Sequence, residues 1–366
     1  MGAGAFGRNH LRVVRELEQA GEGVALAAVV EPDAARAGDA AEKYSIPSFA
    51  SVDDLLATEL RIDAALVAVP TIHHHAVARR LLEAGVDVLL EKPLAVSLAE
   101  ADDLLALAAE RRRILQPGHL ERFNPAVLAI EPKLRRPMFF EAHRLSIFTP
   151  RSLDVDVVLD LMIHDLDIVL TFARSPVREV RAVGLPILSP KVDIANVRVE
   201  FESGCVANFT ASRVSTERVR KLRFFEPRQY VSIDYARRDV LVIRVDAGRP
   251  GAIAAGTDAR QASLDVEGAI GAGKVDLEQI AALGAAGLEA LAHPSPGLSF
   301  AKPEVTPGEP LRLEIEAFLE AVRTRKPPRV TAQQGRDALA LALEIQASMA
   351  AHAQRAGLAD FFAPGT

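Results

Sequence analysis

The chain has 366 residues, 49% of them hydrophobic and 25% charged, with a formal net charge of −6 at pH 7. That length exceeds one compact core and points to two domains, the composition is that of a folded enzyme rather than a disordered chain, and the acidic balance argues against nucleic acid or an anionic membrane as a partner. One cysteine, Cys205, excludes a disulfide framework and a cysteine zinc cage; with no signal-peptide pattern and no apolar run near the ~20 residues of a membrane span, a reducing cytoplasm is expected.

The chain opens on Met-Gly-Ala-Gly-Ala-Phe-Gly. Gly2, Gly4 and Gly7, with Ala5 and Phe6 between the last two, follow the G-x-G-x-x-G pattern. That spacing gives a tight turn, close approach of backbone to a pyrophosphate, and packing of the helix that follows. Such a loop normally follows a buried strand, and only Met1 precedes this one. The expectation is a genuine phosphate loop whose first strand is truncated, the missing part being a Val/Ile-rich stretch of about 5–6 residues. Chance glycines in an Ala/Gly-rich chain are the competing reading. Glu31 weighs against it, because it ends the apolar run 24–30 about twenty residues on, where a carboxylate accepts from the adenosine ribose 2′-hydroxyl. A carboxylate there repels a 2′-phosphate, which favours NAD over NADP.

Up to residue 117 the apolar runs 24–30, 64–69 and 86–90 alternate with helical stretches at 33–44 and 75–85. This is the rhythm of βαβ units in a doubly wound parallel sheet. Pro70, Thr71 and the triplet His73-His74-His75 follow the second run. Successive residues point in different directions, so the triplet cannot readily hold one metal ion; one imidazole is expected to line the cofactor cleft and the others to face solvent. Glu91, Lys92 and Pro93 follow the third run, at the carboxyl end of a strand, where open α/β sheets bind ligands. Lys92 there either hydrogen-bonds a substrate hydroxyl and, with a pKa lowered by burial, accepts a proton, or is a solvated lysine paired with Glu91.

From residue 118 the rhythm changes. Strand-like runs at 138–143, 177–183, 197–201, 205–211, 221–225, 230–234 and 240–245 indicate an open, largely antiparallel sheet in an α+β domain spanning 118–366. Cys205 reads as inert packing in one of these strands. Arg122 and Asn124, at the domain switch, either touch substrate or nicotinamide or form the turn before Pro125. The apolar helix 153–173 carries Asp160 and His164 four residues apart on one face, with Asp156 one turn earlier. Titratable groups on a buried helix are paired or functional. The readings are a substrate-facing His held by a carboxylate, a satisfied core pair, or a metal ligand. The last is disfavoured because no second helix supplies His at matching spacing, and no metal is expected. Arg144 and Arg151 either bind phosphate or pair with Asp154 and Asp156. Residues 247–309, rich in Ala, Gly and Pro, suggest a loosely structured insertion, and the C-terminal part reads as two amphipathic helices.

The glycine loop, the V-P-T-x-x-H stretch ending at His74, Glu-Lys-Pro at 91–93, Arg-Phe-Asn-Pro at 122–125 and Asp160…His164-Asp165 together resemble the Gfo/Idh/MocA oxidoreductases over nearly the whole chain. The resemblance implies a Rossmann domain binding NAD(P), with Pro70, Thr71, His74, Glu91, Lys92 and Pro93 along the cofactor. It also implies a second domain whose sheet builds homo-oligomers, dimers or tetramers. Lys92 would contact substrate and nicotinamide, and Asp160 and His164 would form the substrate-facing acid/base pair, with His164 the proton acceptor. The implied reaction is reversible hydride transfer from a ring carbinol of a sugar or cyclitol. The runs LQPGHLERFNPAV and RSLDVDVVLDLMIHDLDIVL further resemble the branch that oxidises the 3-hydroxyl of UDP-N-acetylglucosamine on the way to lipid A. In that branch Arg122, Arg144 and Arg151 become candidates for the diphosphate. A free-sugar or cyclitol dehydrogenase is the alternative. A non-catalytic NAD(H) sensor or scaffold is a third, against which Lys92, Asp160 and His164 together speak.

Overall fold

In the computed structural model, which describes residues 1–149, 155–245 and 298–358, the glycine loop leads straight into α1 (Gly7–Gln19), whose buried face carries Leu11, Val14 and Leu17. There follow β1 (Val29–Val30), α2 (Ala34–Tyr44), β2 (Ser48–Phe49), α3 (Val52–Leu56), β3 (Ala64–Val67), α4 (His74–Glu83), β4 (Asp87–Glu91), α5 (Leu98–Arg111) and β5 (Leu115–Gly118). Asp33, Ser51 and Ser97 cap α2, α3 and α5 by accepting from backbone N–H groups, which fixes where each helix starts. Every strand pair in this half is parallel, in a Rossmann-type arrangement that comes in two pieces, β2–β1 and β3–β4–β5.

Met1 and Gly2 bridge the two pieces. The Met1 ammonium donates to the Leu66 carbonyl at 2.7 Å, the Ala68 N–H donates to Met1 O at 2.9 Å, and the Gly2 N–H donates to Val30 O at 2.8 Å. These bonds tie Met1 and Gly2 to both pieces. A cavity of about 530 Å³ lies between the pieces, lined by Met1, Leu26, Ala64, Leu66 and Leu319 among others. Residues 24–28, apolar as a strand requires, find no ladder partner, so β1 shrinks to Val29–Val30.

The second half begins with α6 (Pro125–Ile130) and β6 (Phe139–Leu145). A π-helical turn, Val158–Met162, runs into α7 (Ile163–Ala173). Then come β7 (Val177–Leu185), β8 (Ile194–Phe201), β9 (Val206–Ser212), β10 (Val219–Glu226), β11 (Gln229–Asp234), β12 (Asp239–Val245), β13 (Leu298–Ala301), α8 (Pro310–Thr324) and α9 (Ala332–Arg355). The eight strands lie in the order β13-β12-β11-β10-β6-β9-β8-β7, antiparallel except where β6 meets β9. Alternation along each strand sends Phe140, Ala142, Val197, Val199, Leu222 and Phe224 inward to one core with Leu166, Val169 and Phe172 of α7. Cys205 is buried in that core, and burial pushes its thiol up to about 11, consistent with inert packing.

The two C-terminal helices, grouped by sequence with the second domain, straddle both. Leu311 and Ile315 of α8 pack with Val13, Val14 and Leu17 of α1. In α9, Leu339 joins the parallel-sheet core, while Leu341, Ile345 and Met349 join the other. Of the segment 247–309, residues 247–297 lie outside the described residues, and its end supplies the edge strand β13. No helix among the described residues is long and apolar enough to cross a membrane.

Candidate active site

The three glycines of the loop do three different jobs. Gly2 has φ +84°, and a Cβ on it would stand 2.7 Å from the Ala68 carbonyl oxygen. A Cβ on Gly7 would fall 2.0 Å from Gly2 O, so only glycine lets α1 pack on the loop. A Cβ on Gly4 would meet nothing within 4 Å, leaving its side of the loop open. No side chain caps α1; the Arg8 N–H donates to Gly4 O at 3.0 Å and the Asn9 N–H to Phe6 O at 2.9 Å, so the amides left for a ligand are those of the loop itself, at Ala5 and Phe6. Glu31 is buried and accepts from Ala3 N–H at 2.7 Å, Asp33 N–H at 3.1 Å and the Arg36 guanidinium at 2.8 Å. Burial works to raise its pKa, but these hydrogen bonds outweigh it, and the carboxylate is held below its ordinary value. Loop amides, an open glycine and an ionised carboxylate at the end of β1 are the donor and acceptor set a dinucleotide requires.

Around the carboxyl ends of β3 and β4 the polar groups are mutually braced. Exposed Pro70 precedes a 3₁₀ turn, Thr71–His73, in which Thr71 is half-buried and His73 exposed. The three imidazoles part company as the geometry of adjacent residues requires. His75 meets Asp103 at 2.7 Å, whereas His74 is buried, with Nδ1 2.7 Å from Pro93 O and Nε2 3.0 Å from Val69 O. His74 therefore ties the end of β3 to the Glu91–Pro93 turn, in which the Lys92–Pro93 peptide is cis. Glu91 is bound by His10 of α1 at 2.9 Å.

Lys92 points across to the second half. Its Nζ donates to the Asp160 carbonyl oxygen at 2.6 Å and lies 3.8 Å from the Asp160 carboxylate. The π-helical turn directs that backbone carbonyl to the lysine; such turns occur often at functional sites. Burial lowers the Lys92 pKa, against the pull of Asp160 and Glu91. His164 lies in the first turn of α7, among the same charges. It is not held by a carboxylate, as the Asp160 spacing suggests; Asp160 turns to Lys92 and the His164 Nδ1 has no partner. Burial first, then the charges of Lys92, Arg144, His119 and Arg220, push its pKa well below the ordinary histidine value. A neutral imidazole beside an ammonium is an arrangement that accepts a proton from a hydroxyl the ammonium polarises. Asp156 is structural: it caps the turn through Val158 and Leu159 N–H and accepts from Gln346 at 2.7 Å.

The arginines expected at a phosphate are committed elsewhere. Arg144 is buried, with Nε and Nη2 on the Asp165 carboxylate at 2.7 and 3.0 Å and Nη1 on Glu121 at 2.9 Å. Arg122 is buried as well, bonding Thr171 at 2.5 Å and lying 3.6 Å from Asp167 and 3.9 Å from Glu131. Asn124 caps α6 through Ala126 N–H and donates to Glu121 and the Tyr235 carbonyl. These three residues hold the domain switch and are buried, Arg122 keeping only its Nε without a partner. Arg151 and Asp154 lie outside the described residues. Among the described residues no group of three or more His, Cys, Asp or Glu is arranged to hold a metal ion.

Sequence reasoning passed over a buried polar cluster behind Glu91. Glu314 of α8 is fully buried with neither carboxylate oxygen bonded, and Gln116 Oε1 and both nitrogens of His119 are likewise unpartnered. Burial, then Glu91 and Asp167, push the Glu314 pKa well above the ordinary carboxyl value. A signal was present: Glu314 stands on the same helical stripe as Leu311, Ile315 and Phe318.

Two family models cover most of the chain. Residues 1–119 match the oxidoreductase family with an NAD-binding Rossmann fold, and residues 127–228 match the GFO/IDH/MocA C-terminal domain. The chain is 33% identical, over 97% of its own length and 97% of the relative's, to UDP-N-acetylglucosamine 3-dehydrogenase of Acidithiobacillus ferrooxidans. A solved structure of that enzyme superposes with a TM-score of 0.77 at 32% identity, covering 96% of each chain. Inositol 2-dehydrogenase of Leifsonia xyli is 32% identical over 49% of this chain and 54% of its own.

Proposed function

The chain belongs to the Gfo/Idh/MocA family of NAD-binding oxidoreductases, and from that premise we propose that it oxidises the 3-hydroxyl of UDP-N-acetylglucosamine to a ketone. The observation that favours a nucleotide sugar is coverage. The match to the Acidithiobacillus enzyme runs end to end, second domain included, whereas the Leifsonia inositol enzyme matches only about half of either chain.

The residues divide the work as follows. His164, kept neutral by burial and by the cations around it, takes the hydroxyl proton. Lys92 donates to the same oxygen as negative charge builds on it, and Asp160 keeps that ammonium charged and aimed. The nicotinamide, when bound, is the hydride acceptor. Glycine amides at the loop and the Glu31 carboxylate hold the dinucleotide at its other end. The product ketone is a substrate for a transaminase, which fits a role in building an amino sugar for lipid A.

The open face of the large sheet supports a homo-oligomer. Phe139, Phe225, Tyr230, Ile243 and Phe300 are successive register neighbours across five strands on the face away from the helices, and Phe225 and Phe300 are exposed. The test of activity is NADH formation by the purified protein with UDP-N-acetylglucosamine, free N-acetylglucosamine and myo-inositol in parallel. Turnover confined to the nucleotide sugar is expected; turnover of inositol alone would replace this reading with the cyclitol one.

A further inference from the structure

With Arg122 and Arg144 locked in buried ion pairs, the cation that meets a substrate's phosphates has to be found elsewhere. Arg220 on β10 is the candidate. Its register partner across the sheet is Arg144 on β6, and cross-strand partners send their side chains to the same face. Along β10, Leu222 and Phe224 are buried on that face and Glu226 closes it. Arg220 therefore belongs to the inward, helix-facing row, yet it is exposed. That end of the strand lies beside the reacting groups, since Arg144, the register partner of Arg220, holds Asp165, the residue after His164.

Arg220 also stands out by what it lacks. Among the described residues its guanidinium makes no ion pair or side-chain hydrogen bond, and nor does that of exposed Arg218 two residues before it. The nearby carboxylates that act on Arg220, Glu121 and Asp165, are already spent on Arg144. Arg218 and Arg220 thus stand beside a third guanidinium, that of Arg144, whose two carboxylates are already engaged, in a chain of net charge −6. An inward-facing, unpaired arginine fork on the row that carries Arg144 suits bidentate recognition of phosphate oxygens.

We propose that Arg220, supported by Arg218, binds the diphosphate of a nucleotide-sugar substrate and sets the preference for it over a free sugar. This rests on the nucleotide-sugar reading above and names the group that carries the selectivity. The same residue, reached by a substrate's phosphates, leaves the sugar ring to Lys92 and His164.

The test compares the parent enzyme with Arg220→Gln and Arg220→Lys, measuring KM and kcat for UDP-N-acetylglucosamine, competitive inhibition by UDP, and the Kd for NADH by fluorescence. Loss of one charge-assisted contact is expected to raise KM and the UDP inhibition constant together, by about 10- to 100-fold. The expected drop in kcat is much smaller, and the Kd for NADH is expected to hold, which also shows that the variants are folded. Lysine should restore part of the loss. If the parent uses UDP-N-acetylglucosamine and Arg220→Gln changes neither constant by more than twofold, the proposal is overturned while the functional reading stands. A parent that turns over only free sugars and ignores UDP overturns both.

Discussion

Lys92 and Asp160 meet twice, once through the Asp160 backbone carbonyl at 2.6 Å and once through its carboxylate at 3.8 Å. One residue on each half of the molecule thus fixes the ammonium on the line where the halves face each other. Removing the charge without much change in volume, as in Lys92→Met, should lower kcat by about 10²- to 10⁴-fold while NADH binding persists. Steady-state kinetics beside NADH fluorescence titration would show it. Retained turnover would remove Lys92 from the chemistry.

The pH profile follows from two lowered pKa values. His164 accepts a proton only when neutral, and its pKa is well below the ordinary 6.5, so kcat/KM should stay level as pH falls through 6.5 and drop only further down. Lys92 serves while protonated, and its pKa is lowered from 10.5, so the basic limb should begin earlier than a free lysine would give. Lys92→Arg should carry that limb upward, because arginine keeps its proton. An acid limb centred at 6.5 or above would contradict the assignment of His164.

Glu314 makes stability depend on pH in a direction opposite to most carboxylates. Its native pKa is raised above the unfolded value near 4.5, so the native state binds the proton more tightly. The advantage is complete below pH 4.5 and is lost as pH climbs toward the native pKa, by about 1.4 kcal/mol per unit. Glu314→Gln keeps the shape and carries no titrating proton. The variant should therefore outlast the parent in urea at pH 8, and the gap should close as pH is lowered toward 4.5. Equal midpoints at every pH would mean that Glu314 is ionised in the folded protein.

Glu31 and Arg36 form a ready-made selector for the cofactor ribose. The carboxylate is buried and holds the guanidinium, which is itself 48% exposed. Glu31→Ser should release Arg36 and remove the charge that repels a 2′-phosphate, raising the NADP-to-NAD ratio of kcat/KM at least tenfold. Kinetics with both dinucleotides would measure it.

The sheet runs and helices of both halves were legible because apolar periodicity survives wherever an element is packed on a core. The phosphate loop was legible because Gly2 and Gly7 leave no room for a Cβ. Residues 24–28 read as strand and form none, since ladder bonds need a partner that periodicity does not reveal. Arg122 and Arg144 looked like ligand groups; their carboxylate partners come from sequence positions as far away as Glu121 and Asp165, which pair with Arg144 only once β6 lies against α7. Arg220 was hidden for the converse reason, as one more polar residue in a strand whose register alone shows which way it faces.

Helix α9 belongs to two cores at once. Leu339 packs with the parallel sheet, while Leu341, Ile345 and Met349 pack with the large sheet. Unfolding either half strips an apolar helix face from the other, so the two halves should melt in one transition followed by calorimetry.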